Sequence, residues 1–331
     1  MRNKKPPFEI TEAALSDVMA ISELVGKISS TQQLSSSPIL RRENRIKTIY
    51  SSLAIEQNTL SLEQVTAVLS GKHVLAPPKD IAEVKNAYEV YDHLAELDPY
   101  STDDLLFAHR IMMQGLVREA GEFRSRPVGV VDSKGNVLHF GTLPQYVPSL
   151  MEELVQWTES SPLPILIKSC VFHYEFEVIH PFADGNGRIG RLWHTLLLSQ
   201  WNPLFAWLPI ESIIHDHQPE YYAAINQSNA EGEGTAFIEF MLGVIKESLE
   251  EAVGEQPVAM PVSRNREETR WTKIDSFLQK NAQIQNADVQ KLLDVSPATA
   301  SRILASLSKE GKLVKIRSGR CWAYKLSDRI S

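Results

Sequence analysis

The run His180-Pro181-Phe182-Ala183-Asp184-Gly185-Asn186-Gly187-Arg188-Ile189-Gly190-Arg191 constrains this chain more than any other stretch. It lies where one apolar run (Val178, Ile179) ends and another (Leu192, Trp193, Leu196, Leu197, Leu198) begins with helical spacing. Gly185, Asn186 and Gly187 tolerate positive φ, so their backbone N–H groups can converge into an anion-binding nest. A helix starting near Gly187 would aim its unpaired N–H groups and the positive end of its dipole at the same place. Arg188 and Arg191, three apart, would share a face of that first turn and clamp further oxygens. Gly185 through Arg191, Ile189 and Gly190 included, therefore read as a phosphate site, with a polyphosphate as the expected guest. Asp184 offers the hard oxygen by which proteins hold a magnesium ion that keeps most of its water. His180, at an expected helix end, is placed to take a proton from an attacking hydroxyl.

The string resembles the core motif of the Fic family, His-Pro-Phe-x-Asp/Glu-Gly-Asn-Gly-Arg-x-x-Arg, and meets it at every fixed position. That resemblance implies a mainly α fold, a helical bundle with one β-hairpin flap. It also implies transfer of AMP from ATP, with Mg2+, to a Ser, Thr or Tyr hydroxyl of a protein, releasing pyrophosphate. His180 would be the general base, Asp184 the metal ligand, and Gly185 to Arg191 the phosphate cradle. The same fold could use another donor such as UTP.

A second constellation, Ser52-Leu-Ala-Ile-Glu56-Gln57-Asn58, places Ser52 and Glu56 four apart on one helix face. It resembles the inhibitory motif Ser/Thr-x-x-x-Glu-Gly/Asn of Fic proteins, although Gln57 stands where Gly or Asn is usual. In the family the glutamate pairs with the second motif arginine, here Arg191, and keeps the γ-phosphate from it. A bidentate carboxylate–guanidinium pair is expected.

Further elements follow from periodicity and punctuation. Helices are expected from Ile10 to Gly26, from Arg41 to Ser52 and, after a proline loop between Lys72 and Lys79, from Glu83 to Leu97. Ser101 can cap another. His109 and His173 read as core histidines. Val128, Gly129, Val130 and Val131, then Val137, Leu138 and Phe140, read as a hairpin turning around Gly135. With Phe123-Arg124 before it and Pro144 after it, the hairpin matches the layout of the Fic flap, whose free edge at Val128, Gly129 and Val130 could pair with an extended target segment. Helices are expected over Val147–Ser160 and Pro164–Val178. Beyond the motif helix, Tyr221, Tyr222 and Asn229 resemble a Fic segment near the adenine and ribose.

Charge divides the chain. Residues 263–331 carry fourteen Lys/Arg against seven Asp/Glu, a balance of +7, which leaves −14 on the remainder of a chain whose net charge is −7. The expected organisation is a body over 1–253 (catalytic core about 100–253), a linker over 254–268, and a small α+β domain over 269–331. In that last part a helix over 287–293, a Ser296-Pro297 helix start, a helix to Gly311 and two short strands resemble a winged helix-turn-helix. Thr299, Ser301 and Arg302 on its recognition helix, with Arg317 and Arg320 on the wing, would meet DNA. An alternative reading makes the protein a DNA-binding regulator whose body senses nucleotide.

No apolar run reaches the length of a membrane span, and no signal-like segment follows the basic N-terminus, so a cytoplasmic address and no membrane partner are expected. Cys170 and Cys321 have no metal-ligand spacing around them and read as reduced structural thiols. The partners implied are ATP, a target protein or the chain itself, DNA through the C-terminal part, and a homodimer.

Overall fold

The computed structural model describes residues 5–31, 37–131, 137–254, 271, 273–279, 281–293, 295, 297–309, 311–318 and 321–327. The chain divides into two compact units, Met1–Glu255 and Gln256–Ser331. Nearly all of the segment expected to link them lies outside the described residues.

The first unit is built from helices α1 (Glu12–Thr31), α2 (Pro38–Ile55), α3 (Leu62–Leu69), α4 (Pro78–Asp92), α5 (Thr102–Met112), α6 (Val147–Ser160), α7 (Ile165–Ile179), α8 (Asn186–Trp201), α9 (Ile210–Asp216), α10 (Gln218–Glu231) and α11 (Thr235–Gly254). Local chemistry sets their starts. Ser37 caps α2, its side chain accepting from Leu40 N at 3.3 Å, and Pro38 supplies the first-turn residue that needs no N–H donor. Ser61 and Gln64 close a reciprocal capping box on α3. Ser101 caps α5 through Asp104 N.

Two expected boundaries move. Pro78 opens α4 rather than belonging to a loop, because a proline is at home in a first turn, and the helix stops at Asp92, leaving Leu94 in a separate short 3-10 turn. Both N-terminal helices also run further than their apolar periodicity suggested, to Thr31 and Ile55.

The hairpin pairs β1 (Gly129–Val131) with β2 (Val137–Phe140) in antiparallel register, Gly129 opposite Phe140 and Val130 opposite His139. Its expected turn around Gly135 lies outside the described residues.

The motif occupies the connection between α7 and α8, the two most deeply set helices. Helix α7 has no polar stripe; Leu166, Cys170, Phe172, His173 and Phe176 bury successive sides of it. On one side α2, α4, α5, α6 and α8 share a core of Ile49, Leu53, Val84, Leu105, Met151 and Trp193, whose indole Nε1 donates to Pro99 O at 3.0 Å. On the other, α11 packs against α7 and carries α1, α9 and α10, with Ile21, Ile213, Phe237 and Met241 in their shared core. Fixing both flanking helices in dense core holds the connection between them in one conformation.

In the second unit residues 273–278 are helical, α12 spans Asn286–Leu293 and α13 spans Pro297–Lys309. Strands β3 (Leu313–Ser318) and β4 (Cys321–Leu326) pair antiparallel, Leu313 opposite Leu326 and Ser318 opposite Cys321. Ile274, Val289, Ala300, Leu304 and Leu313 form its core. Among the described residues, no helix is long and apolar enough to cross a membrane.

Helix α2 is held by Ile49, which has no exposed surface. Ile49→Ala is predicted to destabilise the first unit by about 2–5 kcal/mol, read by urea denaturation; a loss below about 1 kcal/mol would place Ile49 outside the working core.

Candidate active site

Helix α7 ends on His180 itself. The residue is left-handed, φ 53° and ψ 61°, and its N–H still donates to Phe176 O at 2.9 Å. A left-handed histidine costs of order 1–2 kcal/mol relative to a helical one, so the surroundings must enforce it. Its ring Nδ1 lies 3.3 Å from Glu177 O, an acceptor only, so a bond there puts the ring proton on Nδ1 and the lone pair on Nε2.

The loop then turns back under a set of short contacts. Asn186 staples it, Oδ1 accepting from Phe182 N and Nδ2 donating to Phe182 O, both at 2.9 Å. Gly185 is the only left-handed member of the expected nest, φ 87°; Asn186 and Gly187 are already the first residues of α8. The anion-attracting groups are thus a helix N-terminus more than a three-residue nest, with the Asn186, Gly187 and Arg188 N–H groups lacking intrahelical acceptors.

Both motif arginines are buried and engaged. Arg188 Nη1 lies 3.2 Å from Glu83 Oε1 of α4, and Nη2 donates to Asp184 Oδ1 at 3.0 Å. Arg191 Nη2 donates to Glu56 Oε1 at 2.8 Å and to Ser52 O at 2.9 Å, while Nε donates to Ser52 Oγ at 3.0 Å. The expected bidentate pairing is therefore corrected: one carboxylate oxygen of Glu56 meets Arg191, and Ser52 takes another edge of the fork. Side-chain exposure is 1% for Arg191 and 30% for Glu56. Burial would lower the arginine's pKa, but Glu56 overcomes this and pushes it up.

Glu56 caps the end of α2, and Gln57 after it is left-handed, φ 65°. That conformation is why glycine or asparagine suits the position, and Gln57 adopts it under strain. Glu56 presses on Gly187: a Cβ there would overlap its Oε1 and come within 3.0 Å of Arg191 Nη1. Asn58 points elsewhere, donating to Glu83 Oε2 at 2.8 Å.

Asp184 is half exposed, its Oδ1 accepting from Gly185 N at 2.6 Å and from Arg188. Among the described residues no three His, Cys, Asp or Glu side chains gather as a metal site. A single partly exposed carboxylate beside a helix N-terminus still fits magnesium, which takes one or two protein carboxylates and completes its shell with water and the phosphates of a bound nucleotide.

Other expected site residues are placed less simply. Tyr221 is a core residue, packed on Phe237 and Phe240 with its OH 3.2 Å from His173 Nε2, so its ring has no open face. Tyr222 is 42% exposed, and Asn229 Oδ1 accepts from Tyr174 OH at 3.2 Å. Val128 O accepts from Gly141 N at 3.1 Å; Gly129 and Val130 lie on β1. In the second unit Thr299, Ser301 and Arg302 lie on α13, where Ser301 and Arg302 are exposed, and Arg317 is exposed on β3. Arg320 lies outside the described residues, whereas Cys170 is a buried free thiol whose pKa burial pushes up to about 12.

Several residues had no role in the sequence reading. His109, as expected, is a hydrogen-bonded core residue, but it also braces the loop: Gly121 N donates to its Nδ1 at 2.9 Å, Nε2 lies 3.0 Å from Asp184 O, and its ring stacks on Phe182 at 3.6 Å. Burial drops its pKa to about 4, which keeps it neutral. Glu83 reaches Arg188 from more than a hundred residues away, with no local signal. Glu177 had one: it lies four residues after His173 and three before His180, on the same side of α7. Its carboxylate lies 3.9 Å from His180 Nδ1 and 4.0 Å from His173 Nε2, and a Cβ on Gly190 would come within 2.9 Å of its Oε1.

The Fic/DOC family model matches residues 96–198. The chain superposes with a TM-score of 0.77 on the crystal structure of a Fic family protein from Desulfovibrio desulfuricans G20, 38% identical, covering 99% of this chain and 100% of that one. The chain belongs to the Fic family. It is 28% identical over 272 residues to protein adenylyltransferase fic-1 of Caenorhabditis elegans, covering 78% of this chain and 51% of that protein. Protein adenylyltransferase Fic of Nematostella vectensis is 29% identical over 60% of this chain and 47% of its own length. The chain thus spans about half the length of these Fic relatives.

Glu177 makes a pH prediction for this Fic protein. Burial raises its pKa from 4.5 to about 7, with Arg191 working against the shift and Glu56 adding to it. A carboxyl whose folded pKa is raised contributes stability below its unfolded pKa and loses it as pH rises through the folded one. Glu177→Gln should therefore gain stability over wild type between pH 5 and pH 8, on the order of 2 kcal/mol, in paired urea denaturations. A difference between the two proteins that does not change with pH would refute it.

Proposed function

We propose that this Fic protein is an adenylyltransferase that moves AMP from ATP to a hydroxyl side chain of a protein, and that Glu56 restrains it. What carries the reading is the Arg191 fork held between Ser52 and Glu56, beside the N-terminus of α8 and the left-handed His180. The relatives named protein adenylyltransferase favour this chemistry over transfer of UMP, which the same cradle could also accept.

In this reading the triphosphate lies along the first turn of α8. The free helix N–H groups of Asn186, Gly187 and Arg188, with the Arg188 side chain, offset charge on the transferred and leaving phosphates. Arg191 takes the γ-phosphate when Glu56 withdraws. Nε2 of His180 accepts the proton of the incoming hydroxyl as its oxygen bonds to the α-phosphorus. The bond from that phosphorus to the bridging oxygen then breaks, and pyrophosphate leaves. Asp184 would hold Mg2+, which supplies charge neutralisation at the phosphates. Tyr222 offers a ring surface for the base, and Asn229, two turns further along α10, would bond it. Backbone groups of Val128, Gly129 and Val130 would align a target segment, which can belong to a second copy of the chain.

The inhibitory role of Ser52 and Glu56 rests on the same contacts, whereas Asn58 would act only through Glu83, to which it donates. Glu56→Gly should raise AMP incorporation from ATP and magnesium, read as a mass shift on the chain, and His180→Ala should abolish it in either background. Equal labelling of wild type and Glu56→Gly would remove the inhibitory part; no labelling with any nucleotide in any variant would sink the transferase reading.

A second role, DNA binding by the C-terminal unit as a winged helix, is supported by its basic balance and by exposed Arg302 and Arg317. The full chain should then bind duplex DNA with an affinity that falls steeply as salt rises, and Arg302→Ala should weaken it. Absence of salt-dependent binding would leave this unit a protein-contact module.

A further inference from the structure

Arg124 lies outside the chemistry proposed above, yet its side chain sits where the motif loop and the hairpin exit meet. It is 3% exposed. Its Nε donates to His180 O at 2.6 Å, Nη2 donates to Ile179 O at 3.2 Å and to Thr142 O at 2.5 Å, and Nη1 donates to Arg126 O at 3.0 Å. Its own N–H donates to Pro181 O at 3.0 Å. Among the described residues, this guanidinium has no carboxylate partner; these acceptors are all backbone carbonyls.

The reason for this arrangement lies in how α7 ends. The last carbonyls of a helix have no intrahelical donors, and a left-handed His180 turns its own carbonyl off the helix axis. Two of those orphaned acceptors, on Ile179 and His180, are met by Arg124, and the same fork reaches Thr142 just beyond β2. There is no slack at the junction. A Cβ on Gly141 would come within 2.8 Å of Arg124 Nη2, 3.0 Å of Val128 Cγ2 and 3.3 Å of His180 Cβ. Hydrogen bonding to a charged donor is stronger than between neutral groups, and the planar fork holds several acceptors in fixed relation.

We propose that Arg124 is a positioning residue: it holds the backbone of His180, and so its ring, in register with the exit of the hairpin, making the base and the proposed target-docking strand one unit. This rests on the transferase reading. Since the hydrogen bonds of Arg124 go to carbonyls on residues 126, 142, 179 and 180, its loss should slow transfer without weakening nucleotide binding.

The test uses full-length protein in the Glu56→Gly background, comparing the parent with Arg124→Lys, Arg124→Gln and Gly141→Ala. ATP affinity is measured by calorimetry, AMP incorporation into the chain at saturating ATP by mass shift, and the melting temperature in parallel. Arg124→Lys keeps the charge and loses the fork. Gly141→Ala keeps Arg124 and crowds it, so it still decides the matter if the Arg124 variants fold poorly. The expected result is an incorporation rate lowered about tenfold to a hundredfold in the Gln and Ala variants, less in Lys, with the ATP Kd within about twofold of the parent. Unchanged rates, or rate, affinity and melting temperature falling together in all three, would overturn the proposal. A parent that incorporates no AMP would overturn the transferase reading, and this one with it; an active parent with equally active variants overturns this one alone.

Discussion

A guanidinium with almost no contact with water has to be answered by a negative or strongly polar partner, and Arg191 is such a group in the middle of α8. Its partners come from α2, which must therefore dock with its last turn against the first turn of α8. Docking α2 brings in α4 and α9, which pack on it, and α4 supplies Glu83 to the second buried arginine, Arg188. The N-terminal helices and the motif helix are thus tied by two buried charges as well as by apolar contact. Arg188 would keep Asp184 if Glu83 were removed. Removing Glu56, however, would leave Arg191 a buried cation with only Ser52 beside it unless another anion took its place, and a triphosphate is an anion of the right kind.

How much of this was legible beforehand depended on distance along the chain. The motif carried most of its geometry in its own letters: a helix start expected near Gly187 and found at Asn186, a left-handed glycine and two arginines on one turn all follow from local preference. Ser52 and Glu56 could be read because they are four apart on a helix and match a familiar pattern. Glu83, Arg124 and His109 could not be read as parts of the site, since each acts across a large sequence separation through a backbone carbonyl or a buried guanidinium. No spacing rule reports such a contact. Proline misled as a loop signal at Pro78, which opens a helix, and the family resemblance misled at Tyr221, which is core packing.

Gln57 shows how a departure from a pattern can be physically informative. Its backbone takes the conformation that the usual glycine or asparagine takes without cost, so the turn is kept and the penalty is borne locally. The surrounding contacts are sufficient to hold it, among them Gln57 N to Ala54 O at 2.9 Å and Asn58 N to Leu53 O at 3.0 Å.

Gly187 has a consequence for how such a protein can change over generations. The missing side chain that lets the Glu56 carboxylate rest against α8 is the same vacancy that a phosphate would need in order to reach those N–H groups. In the proposed scheme, restraint and turnover would therefore share one atom's worth of space. A lineage could then shed the restraint by altering Glu56, at the cost of its pairing with Arg191, but no substitution at residue 187 would separate the two. On that reading the brake would be free to drift, while the seat it occupies would not.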